Sequence, residues 1–186
     1  AITGEFQKYW KEAIDIEVAN LLEHEVFAWV RRPVHRRLID SNWAWKVKSN
    51  AAGQIDKFKA RLVARGFRQI HGIDYLETHA AVVKLITFRI TLAEAARRGM
   101  ECSFIDIRSA YLTAYLKIKQ YMTPPHGVTP PSPGQVMRLD KGLYGLKQAG
   151  RGWNRKFLKD LKAWGFVASQ ADPCLFIKSK GESQLR

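Results

Sequence analysis

Ser103-Phe104-Ile105-Asp106-Ile107-Arg108-Ser109-Ala110-Tyr111-Leu112 is the stretch of this sequence that decides how the rest is interpreted. A single carboxylate, Asp106, lies in an apolar run, and two small residues then lead to the aromatic Tyr111. The pattern predicts a buried strand that delivers an acid near its end and continues into a short helix. Burying a lone carboxylate costs free energy unless a metal ion or a basic group compensates it. The alternative is a strand-end aspartate that caps the following helix.

Positive charge is the strongest global signal of the chain. The sequence has 186 residues, with 31 Lys and Arg against 17 Asp and Glu, a formal net charge of +14. Such an excess favours a polyanionic partner, usually nucleic acid, although a basic protein without such a partner is the alternative. Two isolated cysteines and scattered histidines indicate neither a zinc site nor a disulfide framework, which suits an intracellular setting. No apolar run approaches the roughly 18 residues that a membrane span needs.

Periodicity predicts a mixed set of helices and strands, and the length suggests one domain, or one plus a fragment. In chain order these are a helix over 5–23, an extended piece over 26–30, strands over 43–48 and 55–65, a helix over 87–98, the strand that carries Asp106, a short helix over 111–116, a Pro-rich loop over 123–134, a strand over 136–139, a helix that ends at Gly165 and a strand over 174–178.

The strand over 55–65 alternates in a way that bears on function. Its apolar and cationic side chains point to opposite faces, with Phe58, Ala60, Leu62 and Ala64 on one face and Lys57, Lys59, Arg61 and Arg65 on the other. This predicts a hairpin with one cationic face. That face is either a phosphate-binding surface or a solvated edge on which lysines discourage strand pairing.

Several blocks occur in a fixed order along the sequence. They are Trp10-Lys11-Glu12-Ala13 with Glu17, the run from Ile55 to Gln69, Gly72-Ile73-Asp74-Tyr75 with Glu77-Thr78, Asp106 to Leu112, Leu143-Tyr144-Gly145-Leu146-Lys147-Gln148-Ala149 with Trp153, and Gly165-Phe166 followed by Cys174-Leu175-Phe176. Together these blocks resemble the reverse transcriptase domain of Ty1/copia-type retrotransposons over nearly all of the chain.

The resemblance implies an α+β fold with the fingers and a partial palm of a right-hand polymerase. Residues 24–85 would be mainly fingers, and residues 86–122 and 135–186 mainly palm or the junction of the two. The implied reaction is template-directed addition of dNTPs to a primer 3′ end, in which two Mg²⁺ ions clamp the attacking and leaving oxygens.

The implied partners are an RNA or DNA template–primer, a dNTP and the other segments of a polyprotein, and no membrane. An integrase would precede this domain, and the rest of the palm, a thumb and an RNase H would follow it. The implied location is the cytoplasm or nucleus, within particles if the element is active.

The resemblance also implies roles for individual residues. Asp106 would be catalytic and would hold Mg²⁺ together with the backbone carbonyl of Ile107. Tyr111 would crowd a ribose 2′-OH. The other nucleotide-binding candidates are Lys59, Arg61, Ser109, Ala110 and Gln148. The nucleic-acid-binding candidates are Lys57, Arg65, Lys147 and Arg151.

One departure from the family pattern bears on activity. The family's other two carboxylates are adjacent aspartates of a Tyr-x-Asp-Asp hairpin, whereas no two of the eight Asp residues here are neighbours. The sequence therefore predicts a domain truncated before that hairpin and inactive alone. The alternatives are a basic nucleic-acid-binding module without catalysis and a decayed relic.

Overall fold

A computed structural model describes residues 4–179 as a mixed α/β protein, in agreement with the predicted mixture of helices and strands. The described elements are α1 (Gln7–Glu23), β1 (Phe27–Arg31), β2 (Ser41–Ser49), β3 (Ile55–Ala64), α2 (Leu85–Arg97), β4 (Tyr115–Met122), β5 (Gln135–Lys141), α3 (Ala149–Ala163), β6 (Val167–Ala168) and β7 (Phe176–Ile177). Two short 3-10 turns cover Gly66–Arg68 and Ala110–Thr113.

The chain divides into two compact units. Of the described residues, 4–78 and 109–153 form the first unit, and 79–108 and 154–179 form the second. The first unit contains an antiparallel sheet of order β1-β5-β4 and the separate β2–β3 hairpin. Its main core is built from fully buried apolar side chains, among them Leu21, Val26, Ile39, Leu62, Leu112, Met122, Leu139 and Leu143.

Helix α1 packs on the apolar face of the hairpin. The Trp10 ring meets the Trp45 ring edge-on with centroids 4.9 Å apart, and it meets the Phe58 ring at 4.7 Å. Ala60 of β3 is buried in the same cluster. The predicted alternation is confirmed within β3, where Phe58 and Ala60 contact the α1 cluster and Leu62 and Ala64 are buried, while Lys57 and Arg61 are exposed. Arg65, predicted for the same cationic face, lies beyond the end of the strand.

In the second unit, the buried carboxylate of Asp172 fixes the start of α2. Its Oδ2 accepts a hydrogen bond from the Lys84 N–H at 2.9 Å, and its Oδ1 accepts one from the Cys174 N–H at 2.8 Å. The Thr87 hydroxyl and these two N–H groups hold the pKa of Asp172 below its usual range. Asp172 thus joins α2 to the segment between β6 and β7.

The strand predicted around Asp106 is wrong. Residues 101–107 form no strand, and the Phe104 and Ile105 side chains are 87% and 88% exposed. A strand needs a neighbour for its backbone N–H and C=O groups, and within residues 4–179 no strand pairs with this segment.

The helix predicted over 111–116 is also wrong, because the 3-10 turn ends at Thr113 and β4 follows directly. The strand predicted over 174–178 is shorter in the structure and covers only Phe176–Ile177. The Pro-rich segment over 123–134 contains neither helix nor strand, as predicted. Among the described helices, none is long and apolar enough to cross a bilayer.

A buried acid joins α1 to the open edge of β3. Glu17 is 8% exposed, and its Oε1 accepts a hydrogen bond from the Leu62 N–H at 3.2 Å. Burial raises the pKa of Glu17 above its usual value, while the Leu62 N–H, Lys59 and Arg61 oppose that rise. The folded protein therefore holds a proton on Glu17 more tightly than the unfolded chain does.

Because that pKa is raised, ionised Glu17 lowers stability at neutral pH, and the penalty disappears below the unfolded value of 4.5. We expect Glu17→Gln, whose side-chain oxygen can still accept from Leu62, to raise the free energy of unfolding at pH 7. The gain should shrink to nothing as the pH falls below 4.5. Urea unfolding across this range measures it. Glu12→Gln, at an exposed position of the same helix, is the control, and an equal gain there would contradict the assignment.

Candidate functional site

The register of the β2–β3 hairpin sets like charges opposite each other. Lys46 pairs with Lys59 and Lys48 pairs with Lys57, while Arg61 lies opposite Ala44. Directly opposed residues in an antiparallel pair share a face. We call the surface they form the cationic face; it comprises Lys46, Lys48, Lys57, Lys59 and Arg61.

The cationic face is electrostatically strained when nothing neutralises it. Burial lowers the pKa of Lys59, and Arg61, Lys48 and Lys57 lower it further, with Glu17 the one opposing influence. A lowered lysine pKa means that the surroundings disfavour the charged form. A bound polyanion would reverse that balance, so the cationic face has the electrostatics of an anion-binding surface.

Arg61 at one side of this face joins an aromatic cluster. Its guanidinium carbon lies 5.3 Å from the centroid of the Tyr144 ring, within the range of a cation–π contact. The Tyr144 ring in turn meets the Tyr111 ring edge-to-face, with centroids 5.6 Å apart. Two residues predicted for nucleotide binding, Arg61 and Tyr111, are therefore joined through a third that was not predicted.

Two glycines let the segment 143–148 approach the end of β3. The Ala64 N–H donates to the Tyr144 carbonyl oxygen at 2.8 Å. Gly145 has φ +85°, and a Cβ built on it would overlap the Ala64 carbonyl oxygen. A Cβ on Gly66 would overlap the Gly145 carbonyl oxygen. The contact therefore requires glycine at both positions.

A buried amide network holds the same segment from another side. Gln69 Nε2 donates to Gln148 Oε1 at 3.1 Å and to Gln120 Oε1 at 3.2 Å. The Lys147 N–H donates to Gln69 Oε1 at 2.9 Å, and Gln120 Nε2 donates to the Asp74 carbonyl at 2.7 Å. The Gln148 amide, predicted to contact nucleotide or template, is thus held by Gln69.

The candidate nucleic-acid-binding cations outside the hairpin have protein partners. Lys147 Nζ lies 5.5 Å from the centroid of the Tyr75 ring, and Arg151 forms an ion pair with Glu77. Arg65 Nη2 donates to Asn42 Oδ1 at 2.8 Å. These contacts fix the directions of the three side chains on the first unit.

The Asp106 segment differs from the other predicted site residues. Asp106 and Ile107 belong to the second unit and lie in an exposed segment without regular structure, whereas every other predicted site residue belongs to the first. Ser109 opens the 3-10 turn with a left-handed φ of 53°, and its carbonyl accepts from the Leu112 N–H at 2.9 Å. Ala110 is the first residue of that turn and Tyr111 the second.

The described residues do not by themselves fit a three-carboxylate magnesium site. Within residues 4–179, no group of three or more His, Cys, Asp or Glu side chains is placed to hold a metal ion. Among the described residues, Asp106 therefore does not have two further acidic side chains beside it that could complete the site. Mg²⁺ keeps its waters unless carboxylates and substrate phosphates replace them.

Tyr144 and Gln69 were not predicted from the sequence to have a role in the site. Tyr144 lies in a recognised block, but only the fold brings it beside Arg61 and Tyr111. The only local signal was the glycine that follows it, which marks a close backbone approach. For Gln69, nothing in the local sequence indicated burial.

Known proteins match this chain over most of its length. The family described as "Reverse transcriptase (RNA-dependent DNA polymerase)" matches residues 24–186. The chain is 35% identical over 176 residues to the retrovirus-related Pol polyprotein from transposon RE1 of Arabidopsis thaliana, covering 94% of this chain and 12% of that protein. It is 33% identical over 173 residues to the corresponding polyprotein from transposon TNT 1-94 of Nicotiana tabacum, covering 92% and 13%.

A more distant relative is the Gag-Pol polyprotein of transposon Ty1-BL from Saccharomyces cerevisiae, 30% identical over 156 residues, which cover 76% of this chain and 8% of that protein. No solved structure matches the chain significantly. The chain spans about an eighth of the length of the plant polyproteins it matches.

The chain belongs to the reverse transcriptase (RNA-dependent DNA polymerase) family. Its relatives are transposon Pol polyproteins from plants and yeast, which confirms the resemblance to Ty1/copia-type retrotransposons.

The close backbone approach at Gly145 predicts that two Gly→Ala substitutions differ strongly in their effect on the free energy of unfolding. Gly145→Ala should lower the free energy of unfolding by about 3 kcal/mol or more, because it combines a left-handed φ with overlap on Ala64. Gly152→Ala, where a Cβ meets only the Ala114 Cβ at 3.7 Å inside α3, should be neutral or gain up to about 1 kcal/mol. Denaturant unfolding compares them, and equal stability of both variants would contradict the packing described.

The strained cationic face predicts a stabilising loss of charge. Lys59→Gln should raise the free energy of unfolding by about 0.2–1 kcal/mol at low ionic strength, because it removes the repulsion that Arg61, Lys48 and Lys57 exert on Lys59. The gain should fade in about 0.5 M salt as screening removes the repulsion. Lys117→Gln, at an exposed position of β4, is the control. A destabilised Lys59→Gln variant would show that Lys59 is not repelled by its neighbours.

Proposed function

We propose that this chain is the part of an RNA-directed DNA polymerase that holds the incoming dNTP and the template–primer. The reaction is the template-directed addition of dNTPs to a primer 3′ end. The observation that supports it most is the Arg61–Tyr144–Tyr111 cluster at the side of the cationic face, in a chain of the reverse transcriptase family. In this proposal residues 24–85 are mainly fingers, and residues 86–122 and 135–186 are mainly palm or the junction of the two, with 180–186 outside the described residues.

The roles of individual side chains follow from their charge and shape. Lys59 and Arg61 neutralise triphosphate oxygens, which favours charge build-up during phosphoryl transfer. The Tyr111 ring stands against the 2′ position of the sugar, and the backbone N–H groups of Ser109 and Ala110 face the phosphates. Gln148, held by Gln69, lies beside the incoming nucleotide or template base.

The proposed contacts to the nucleic acid are electrostatic. Lys57, Arg65, Lys147 and Arg151 bind backbone phosphates of the template–primer, which positions the strands without reading their sequence. The relatives are far longer Pol polyproteins, and we propose that this chain works beside integrase, thumb and RNase H segments of such a protein. Assembly of that kind would place it in the cytoplasm or nucleus, within particles.

Asp106 and the Ile107 carbonyl stay the candidates for one side of a Mg²⁺ site. In this reaction class the ions stabilise the attacking and leaving oxygens. Residues 4–179 bring no acidic cluster together. The proposal therefore gives Asp106 and Ile107 no metal-dependent step. We propose that the chain alone does not incorporate dNTPs, and primer extension on an RNA template in Mg²⁺ tests this directly.

A second candidate is a nucleic-acid-binding module without catalysis. The five cations of the cationic face and the net charge of +14 support it. The two candidates share the binding of template–primer and differ in nucleotide selection. Preference for dATP over ATP opposite a templating uracil supports the polymerase role, whereas binding without any nucleotide preference supports the module.

Salt dependence tests the proposed role of the cationic face. In the absence of nucleotide, Lys59 and Arg61 are also free to contact the nucleic acid. If the five cations then each displace a counterion from a primed RNA–DNA duplex, affinity should fall at least roughly 500-fold between 50 and 200 mM salt. The double substitution Lys57→Gln with Lys59→Gln should reduce the slope of log K against log salt by about 2. Fluorescence anisotropy titrations measure both.

The matched control for that titration is Lys8→Gln with Lys11→Gln. It removes the same charge from exposed positions of α1 and should leave the slope almost unchanged. An equal drop for both double variants would mean that net charge, not the cationic face, governs binding.

A further inference from the structure

Tyr144 lies between two groups that the proposed function assigns to different parts of one nucleotide. One contact of its ring is with the Arg61 guanidinium, at 5.3 Å from the centroid. Its other aromatic contact is with Tyr111, at 5.6 Å and 62° between ring planes. The structure therefore links a triphosphate candidate to a sugar candidate through one side chain.

The backbone around Tyr144 is held at three consecutive residues. The Tyr144 carbonyl accepts the Ala64 N–H at 2.8 Å, and the flanking Leu143 is fully buried. Gly145 follows in a conformation that only glycine adopts without strain. Arg61 lies in β3 with an exposed side chain, and Tyr111 lies in a short 3-10 turn. The contacts of residues 143–145 thus fix the backbone from which the Tyr144 ring projects.

We propose that Tyr144 is a positioning residue that sets the discrimination between deoxyribose and ribose by supporting the ring of Tyr111. The inference rests on the proposed function, in which Tyr111 faces the sugar of the incoming nucleotide. A ring excludes a 2′-OH only if it cannot retreat from it, and the Tyr144 ring packs against the Tyr111 ring with centroids 5.6 Å apart. The same ring holds the Arg61 guanidinium, whose position affects every nucleoside triphosphate alike.

The contacts of Tyr144 with Tyr111 and with Arg61 have different effects on nucleotide binding. Loss of the Tyr144 ring lets Tyr111 yield to a 2′-OH, so the ratio of ATP to dATP dissociation constants falls. Loss of the Arg61 contact weakens both nucleotides equally and leaves the ratio unchanged. A ratio therefore reports the Tyr111 support alone, whereas a general packing defect would act on both affinities.

The experiment measures dissociation constants of dATP and ATP for the whole chain on a primed RNA template with uracil as the next template base. Competition against a fluorescent dATP analogue in Mg²⁺ gives both values without requiring chemistry. We expect Tyr144→Leu to reduce the preference for dATP about tenfold, the size of one aromatic pair. Tyr144→Phe keeps the ring and should keep the preference.

A matched control removes a comparable contact elsewhere. Tyr115 is an exposed tyrosine with Lys141 Nζ 5.0 Å from its ring centroid, and Tyr115→Leu should leave the preference unchanged. Tyr144→Met, which fills a gap flexibly, replaces Tyr144→Leu if the leucine variant does not fold by circular dichroism.

The outcomes separate this inference from the proposed function. If the wild-type chain shows no preference for dATP, the proposed function fails and this inference fails with it. If the wild type prefers dATP and the folded Leu or Met variant prefers it equally, the role of Tyr144 is refuted while the proposed function stands. Reduced preference in that variant, with preference retained in Tyr144→Phe and Tyr115→Leu, supports the inference.

Discussion

The hydrogen bond from the Ala64 N–H to the Tyr144 carbonyl is the interaction on which the first unit depends. It joins the end of β3 to a segment about 80 residues later in the chain, and Gly66 and Gly145 make the approach possible. Because of this contact, a cation from the hairpin and an aromatic ring from the 3-10 turn converge on Tyr144. Gln69, just beyond β3, then binds the backbone and side chain at the end of the same segment. The arrangement of the candidate site is therefore a property of the backbone more than of any single charged group.

The hairpin balances two opposite demands. Its apolar face is buried on α1, which stabilises it, whereas its cationic face opposes lysine to lysine across the strands. Glu17 lies on the buried side and carries a carboxylate that burial disfavours, yet it satisfies the Leu62 N–H on the open edge of β3. An unpaired buried donor costs about 1–3 kcal/mol, so a strained acid is tolerated there. The unit keeps a surface that is unfavourable in isolation because the other side of the same strands is well packed.

The sequence was informative where a pattern is local. The alternation in β3 specified which face is cationic, and the apolar spacing of Trp10 and Ile14 specified the buried face of α1. The sequence was misleading where secondary structure depends on a neighbouring segment from elsewhere in the chain. The isoleucines around Asp106 have strand propensity, but propensity without a paired neighbour does not make a strand. In β4, Leu116, Gln120 and Met122 are buried at alternate positions, a strand period hidden by the apparent helical spacing of Tyr111, Leu112 and Tyr115. The role of Tyr144 was not predicted, because its partners Arg61 and Tyr111 come from two distant segments of the chain.

The opposed lysines also have a thermodynamic consequence for the hairpin itself. Any anion that binds to the cationic face relieves the repulsion between Lys59 and its neighbours Arg61, Lys48 and Lys57. By linkage it favours folding increasingly as its concentration rises above its dissociation constant. Multivalent buffer ions such as phosphate or pyrophosphate are then more than background electrolyte for this protein. The melting temperature recorded in such buffers then contains a contribution from occupancy of the cationic face in addition to the stability of the core.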